Sequence, residues 1–578
     1  MLCRSRAHGS KFLAWVCAAM LVPAAAAQSP KPPEQEPTTV IRSATRLVQV
    51  SVVVLDRQGK PVTGLTRDDF ELFENGKPQR IDEFTAFTHV ATVEETPAVA
   101  PPNIYTNRGG VQARIAGTVS VVLLDGLNTR IEDQQNAKKQ VVKFLEQLQP
   151  NDRVALYTLG SSLQVLHDFT RDTAQLLAEL KKFRGRSPVE IEGAIPYKPA
   201  GTPEDEAIGT WLREAETREG NFLEQTRVER TLEALEAIAA HLARLPGRKN
   251  LLWVSGGFPF SFGQEDLPSQ NVLSAEKRQF FGEMERTARA LNDANVVLYP
   301  VDARGLIGAF PDPNFNQAGA VTGRSRRSFG GGYEPVRPTI VSLADTGPTV
   351  ETMKVLAERT GGRAFYNSND IRSALRRAVE ETRETYELGF YPTHGKWDGS
   401  FRELKVRVHR SGVEVRHRKG YLASANPPGT DEDRATLLAS AARSPLDATA
   451  IGVSVRLNAN QNPTDSPRKF EIILDSKDLI LRQEEGRWLG KVRLLLARKK
   501  ADGSVAGWET HTLSLRLTQA SYDKVLGEGF HLDGQLLVEP EVRELRVVVC
   551  DDTTGAMGSV SVPLNLPAAA SRGVNGPH

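Results

Sequence analysis

Apolar and polar residues follow three successive regimes along the chain. Residues 47–55 are rich in β-branched side chains and stop at a turn over 56–59. A second run lies inside Gly64-Leu-Thr-Arg-Asp-Asp-Phe-Glu-Leu-Phe-Glu-Asn-Gly76 and ends on Asn75-Gly76, a strong hairpin signal. Short strands of this kind predict a small β domain over 40–90. Pro97, Pro101, Pro102 and Gly109-Gly110 then predict a linker over 92–112.

From Val119 the period changes. Residues 119–124 are almost continuously apolar and end in Asp125, as expected of a strand buried on both faces of a parallel sheet. Ala137, Val141, Phe144 and Leu148 form one helical face, and Val228, Leu232, Leu235, Ile238 and Leu242 repeat it over 226–245. Strands are expected at 153–159, 250–254, 295–301 and, briefly, 362–366. Helices are expected at 274–294, at 353–359 and from a cap at Asn369 to about Glu384. Alternation of this kind predicts a doubly wound α/β fold with helices on both faces over 115–423. Two insertions, 185–222 and 305–347, read as loops, and the domain ends in a β-hairpin made of 386–391 and 401–421. After a linker at 426–433, six regularly spaced short strands and no long helix predict a β-sandwich-like domain over 432–568.

The ends and the composition narrow the setting. Arg4, Arg6 and Lys11 precede an apolar stretch over 12–22, and Ala25, Ala26 and Ala27 precede Gln28. This is the order of a cleavable signal peptide over 1–27, followed by a proline-rich tether over 28–39. The expected location is therefore secreted, periplasmic or cell-envelope. No segment reaches the roughly 20 apolar residues of a membrane-spanning helix. Cys3 and Cys17 lie in the leader, which leaves Cys550 as a small buried strand residue and excludes an intrachain disulfide. With 73 basic and 71 acidic residues the chain has no global field to draw it to nucleic acid.

In open α/β sheets ligands bind at the carboxyl ends of the strands. The residues expected there, and so the predicted partner-binding face, are Asp125, Asn128, Thr129, Ser255 and Asp302. The stretches Leu123-Leu-Asp-Gly-Leu-Asn-Thr129, Leu245-Pro-Gly-Arg-Lys-Asn-Leu-Leu-Trp-Val-Ser-Gly-Gly-Phe-Pro259, Thr360-Gly-Gly-Arg363, Tyr386-Glu-Leu-Gly-Phe-Tyr391 and Arg418-Lys-Gly-Tyr421 occur in one order. Together with the 64–76 segment they resemble the von Willebrand factor type A (vWA, Rossmann-like) fold, and specifically a bacterial family called VWFA-related, known from acidobacterial genomes.

The resemblance implies a site where vWA domains hold Mg²⁺: an Asp-x-Ser-x-Ser loop, a Thr from a second loop and the Asp of a Thr-Asp-Gly turn. Asp125 and Thr129 match the first and fifth loop positions, but Leu127 stands where the middle Ser is expected and Gly256 where the Asp is. Thr226 is a candidate for the second-loop Thr, with Thr231 competing. The resemblance therefore implies a degraded site: no cofactor, or weak Mg²⁺ held by Asp125, Thr129 and Thr226, with Asp302 as a further oxygen. It implies an exported, non-enzymatic, adhesion-type protein that binds a protein partner. A structural scaffold of an envelope assembly is the alternative. A hydrolase built on Ser255 lacks the Gly-x-Ser-x-Gly elbow, since Trp253 occupies the first glycine position, and neither His167 nor His241 shows a pairing with it. Basic clusters at Arg324, Arg326 and Arg327, and from Lys405 to Lys419, read as solvated faces rather than a nucleic-acid surface.

Overall fold

A computed structural model describes residues 47–88, 103–108, 119–150, 152–185, 203–259, 275–306, 347–393, 397–424, 430–458, 467–537 and 539–564. The predicted signal and tether, the Arg324 to Arg327 cluster and most of the 305–347 insertion lie outside these residues.

In chain order, β1 (Val48–Leu55), β2 (Phe70–Glu74), β3 (Lys77–Gln79), β4 (Glu83–Thr88) and β5 (Ile104–Thr106) come first. The alternating region runs β6 (Val119–Asp125), α1 (Ile131–Leu145), β7 (Arg153–Leu159), β8 (Leu163–Thr170), α2 (Thr173–Lys182), α3 (Pro203–Leu242), β9 (Lys249–Ser255), α4 (Ala275–Asp293), β10 (Val296–Asp302), α5 (Gly347–Thr360) and α6 (Ile371–Glu381). Then follow β11 (Glu384–Phe390), β12 (Asp398–Val408), β13 (Glu414–Arg416) and β14 (Gly420–Ser424). The rest is α7 (Asp431–Arg443), β15 (Val453–Leu457), β16 (Arg468–Leu474), β17 (Arg482–Glu484), β18 (Arg487–Lys500), β19 (Val505–Leu517), α8 (Gln519–Glu528), β20 (Phe530–Leu536), β21 (Val542–Asp551) and β22 (Met557–Pro563).

The central sheet has the order β10-β9-β6-β7-β8. Its first four strands are parallel, and β8 closes one edge antiparallel. Odd and even positions of the parallel strands feed different cores, so each strand reads as an unbroken apolar run. Val121, Leu123, Leu251, Trp253 and Leu298 pack with α3, α4 and α5. Val122, Leu124, Leu252, Val254 and Tyr299 pack with α1, α2 and α6. The α/β region is thus doubly wound. At Gly361-Gly362 the chain lies directly on β10: a Cβ at Gly362 would stand 1.9 Å from Leu298 O, and Gly361 has φ +78°.

Several boundaries differ from the sequence reading. The helix ahead of β9 starts at Pro203, inside the predicted 185–222 loop. Its first half is rich in Glu, Ala, Arg and Leu, which favour helix without producing an apolar stripe. Helix α6 is capped by Asp370, whose carboxylate accepts Ser373 N–H at 3.0 Å, rather than by Asn369, which accepts Leu306 N–H at 2.8 Å. The 362–366 strand reduces to one parallel bridge, Val301 to Phe365.

The larger difference concerns what the flanking strands belong to. β1 pairs antiparallel with β11 and β13, β4 with β11, and β2 with β12. The resulting sheets, β13-β1-β11-β4 and β14-β12-β2-β3, share one core containing Val50, Val52, Leu72, Tyr386, Leu388 and Leu404. The small β domain expected over 40–90 and the hairpin expected at the end of 115–423 are therefore one two-sheet unit, with the α/β region inserted between its halves. Each half supplies two strands to each sheet, and β11 lies between β1 and β4. β5, inside the predicted 92–112 linker, pairs with β15 and joins the sheet β20-β16-β15-β5. That sheet and the one containing β18, β21 and β22 share a second core. Helix α7, absent from the sequence reading, covers the other face of β18 and β21, and Cys550 is buried beneath it. Burial pushes its thiol up to about 12.

Both flanking units are fastened to the α/β region by buried polar contacts. Thr449 N–H donates to Ala240 O at 3.0 Å, and the His241 ring meets Asp447 O at 2.8 Å, at the end of α3. At the amino ends of the parallel strands, Arg248 Nη1 donates to Ser51 Oγ of β1 at 3.4 Å and Asn295 Nδ2 to Glu387 Oε1 of β11 at 3.3 Å, while Arg248 Nη2 donates within the α/β region to Tyr299 Oη at 2.8 Å and Gly361 O at 3.1 Å. Asn250 Nδ2 reaches Thr382 Oγ1 at 2.7 Å and Ser120 Oγ at 3.3 Å.

Lys249 is 2% exposed there, and its Nζ donates to Leu245 O at 2.6 Å. Burial pulls its ammonium down to about 7, with Glu387 opposing. The folded value lies below the unfolded one, so the unfolded chain holds an extra proton between about 7 and the usual lysine range. Stability therefore falls as pH is lowered through that interval, and the penalty is complete below it. Lys249→Met is expected to stabilise the chain by on the order of 3 kcal/mol near pH 6 and by much less near pH 9. Denaturant unfolding at the two pH values checks this; an equal gain at both shows that Lys249 does not titrate in the interval.

Candidate functional site

Asp125 ends β6, in the middle of the sheet, and is 2% exposed. A carboxylate so placed needs donors, and two segments supply them, the loop after β6 and the end of β9. Oδ1 accepts Asn128 N–H at 3.0 Å. Oδ2 accepts Asn128 Nδ2 at 2.9 Å, Trp253 Nε1 at 3.0 Å and Ser255 Oγ at 2.8 Å. Burial raises the Asp125 carboxyl, and the donors from Asn128, Ser255 and Trp253 pull against it.

The network continues outward. Asn128 Nδ2 also donates to Thr231 Oγ1 at 2.8 Å, and Arg227 Nε donates to Asn128 Oδ1 at 3.1 Å. Thr129 Oγ1 accepts Gly256 N–H at 2.8 Å, which ties the loop after β6 to the loop after β9. Gln134 Nε2 holds the first of these loops through Gly126 O at 3.1 Å and Thr129 O at 2.7 Å. Leu127 is buried in the core under α3, α4 and α5. A Cβ at Gly256 would stand 2.7 Å from Asn128 O, so the loops approach too closely for an Asp there.

The structure brings Asp125, Asn128, Thr129 and Ser255 together. Asp302 ends β10 but is clamped by its own neighbour: Arg304 Nε and Nη2 each reach its carboxylate at 2.9 Å. Thr226 does not join the cluster; it is partly exposed and donates to Phe222 O at 2.8 Å on its own helix. Thr231 takes the place. Its register with Val228 and Leu235 puts it on the buried stripe of α3, a signal that separates it from Thr226. Trp253 is the member that sequence reasoning missed, because its apolar strand context gives no hint of where the indole N–H points.

All five residues expected to meet a partner are buried: Asp125 2%, Asn128 5%, Thr129 2%, Ser255 0% and Asp302 2%. They position the loops and do not form the outer surface. Arg130 and Glu132 are exposed beside them, and Leu306 is 57% exposed after β10. Asp133 belongs to the same field: burial raises its carboxyl, as do the charges of Asp302 and Glu132, while Arg130 and Arg304 lower it.

Ser255 Oγ is committed to Asp125 and to Gly257 O at 3.0 Å. The two histidines weighed as its bases are engaged elsewhere: His167 bonds Gln175 Oε1 at 3.1 Å and His241 bonds Asp447 O. The basic strand pair is likewise occupied. Arg416 pairs with Glu381 and Glu414, Lys419 with Glu358, and Arg407 lies over the Phe73 ring.

Asp125→Asn places an amide donor against the donors of Ser255 and Trp253 and is expected to cost about 3 kcal/mol. Thr226→Ala is expected to stay within about 0.5 kcal/mol of the parent. Thermal unfolding of both variants checks the assignment, and a loss at Thr226 equal to that at Asp125 contradicts it.

No family model matches the chain, and no curated protein matches it. Among solved structures it is similar to an aerotolerance-related membrane protein from Bacteroides fragilis, at 12% identity over 46% of this chain and 99% of that one, with a TM-score of 0.24. It is also similar to the vWF domain of the type V pili tip protein Mfa5 from Porphyromonas gingivalis, at 14% identity over 24% of this chain and 38% of that one, TM-score 0.16. A third is the ArnB paralog VWA2 from Sulfolobus acidocaldarius, at 11% identity over 64% and 78%, TM-score 0.21. Identities and scores of this size establish no family membership.

Proposed function

We propose that this chain is an exported, non-enzymatic binding protein of the vWA type. It engages a protein partner through the loops at the carboxyl ends of its parallel strands, without a divalent metal. The observation that carries this reading is the closure of Asp125. Its Oδ2 already takes three donors, from Asn128, Trp253 and Ser255. Mg²⁺ demands about six oxygen ligands at short octahedral distances. Here the neighbours of the carboxylate are N–H and O–H donors aimed inward, Asp302 is neutralised by Arg304, and a side chain at 256 has no room. These residues do not fit the metal.

The same closure supports the non-enzymatic reading, since the serine of the site spends its hydroxyl proton on Asp125. It also makes the loops a preorganised platform: the hydrogen bonds that hold them are already made before a partner arrives, so little ordering is left to oppose binding. Arg130, Glu132 and Leu306 are the groups such a platform offers. The basic, apolar and alanine-rich order of residues 1–27 supports export.

The test is capture of envelope proteins on the immobilised mature chain, with millimolar Mg²⁺, with EDTA, and with an Arg130→Glu, Leu306→Asp double variant. Capture of a discrete partner that is equal in Mg²⁺ and EDTA, and about tenfold weaker with the double variant, is expected. Loss of capture in EDTA overturns the metal-independent reading. Full capture by the double variant moves the interface off this face. A chain that sediments as a large homomeric assembly and captures nothing favours the envelope scaffold instead.

A further inference from the structure

A charged cleft lies outside the Asp125 network. Helix α6, the turn after β1 and the segment from Gly412 to Arg416 frame an open cleft of about 720 Å³. Charged groups dominate its wall, and they divide into two sets. The carboxylates are all engaged. Glu381 accepts Arg416 Nη1 at 2.6 Å, Glu414 accepts the same guanidinium through Nε at 2.8 Å, and Glu380 accepts Arg376 Nε at 2.7 Å. Asp56 closes its own turn, taking the Gln58 and Lys60 N–H groups at 2.8 and 2.9 Å.

Of the cations only Arg416 is engaged in this way. Among the described residues, Arg57, Lys60 and Arg377 have no carboxylate within 4.0 Å, and Arg363 meets Glu381 only at 4.0 Å. Two of these are held rather than waving. The Arg57 guanidinium rests on the turn at Gly412, where a Cβ would stand 3.0 Å from its Nε, and the Arg363 guanidinium lies 5.3 Å from the centre of the Phe365 ring. Like charges brought to one cleft repel, and the repulsion is relieved by an anion between them. Guanidinium groups suit an oxyanion best because their donors form a planar fork. Arg363 and Arg377 also line an adjoining cleft of about 610 Å³, whose wall adds Lys354 and Tyr366 and the carboxylates of Glu358 and Asp370.

We propose that this cleft binds a small multivalent oxyanion, a compound bearing two or more phosphate or carboxylate groups bridged by Arg57, Lys60, Arg363 and Arg377. It is distinct from the strand-end face and independent of the reading given for that face.

The probes are pyrophosphate and citrate, titrated calorimetrically into the full mature chain, with chloride at matched ionic strength as the reference. Saturable binding at millimolar or lower concentration is expected for at least one. Arg57→Ser and Arg377→Ser should each weaken it about tenfold. Arg372→Ser, at a cation 3.7 Å from Asp370 and outside the cleft, should leave it unchanged. Binding of pyrophosphate alone assigns phosphate chemistry to the site, and binding of citrate alone assigns carboxylate. Thermal unfolding of each variant shows that it is folded before it is titrated; should Arg377→Ser fail to fold, Arg377→Gln serves in its place. No saturable binding of either anion overturns the proposal. So does binding that survives in a folded Arg57→Ser, Arg377→Ser double variant, or that follows ionic strength alone.

Discussion

A carboxylate cannot be taken out of water without donors to meet it, and Asp125 is taken out at the centre of a parallel sheet. The requirement reaches well beyond one residue. Trp253 and Ser255 must end their strand in register with β6, Asn128 must turn back over the carboxylate, and Thr231 must stand on the inner face of α3 to receive the other proton of the Asn128 amide. Two loops and a helix are thus fixed by one charge. An oxygen that coordinates a metal ion must keep a lone pair free and face solvent or the ion. Asp125 meets four donors of its own chain, three at Oδ2 and one at Oδ1.

The opposite end of the same sheet is governed by a different need. The amino ends of the strands meet β1 and β11, and the residues there are Arg248, Lys249, Asn250, Glu381 and Glu387 rather than leucines and valines. Polar groups buried at such a junction are satisfied only when each partner is in place, so they define one docking geometry where an apolar surface accepts several. The unpaired cations around the cleft on α6 stand apart from this: the carboxylates of that cleft are engaged by Arg376, by Arg416 and, at Asp56, by the backbone of its own turn.

What the sequence made legible follows the range of the interaction concerned. The apolar run ending at Asp125 and the Asn75-Gly76 turn, where both residues have positive φ (45° and 75°), are set by neighbours a few positions away. Both could be read directly. The alternation of strand and helix carried the doubly wound sheet for the same reason. Ladder partners are another matter. Val48 to Leu55 look the same whether they pair with the strands next in sequence or with β11, because the alternation records which face is buried and not who buries it. β5 is three residues long among prolines and glycines, too short for any period to show. At the site, Asp125, Asn128, Thr129 and Ser255 were visible as polar residues closing strands. Thr231 was legible as a competitor of Thr226, whereas Trp253 was hidden because its role is known only by the direction of one side-chain proton. The burial of the whole set was hidden as well, since a polar side chain at a strand end has the same spelling whether it faces a partner or its own fold.

The insertion of the α/β region between β4 and β11 has a consequence for how the chain reaches its native form. β1 and β11 pair across more than three hundred residues, Val52 with Tyr386, and direct closure of so long a loop is entropically costly and slow. Asn250 removes that difficulty. By bonding Ser120 at the beginning of the inserted region and Thr382 at its end, it holds the two exits of that region side by side once the parallel sheet has formed. The strands on either flank then meet as if joined by a short connection. The inserted region thereby works as a clasp: in the folded chain it holds the two halves of the two-sheet unit to one another.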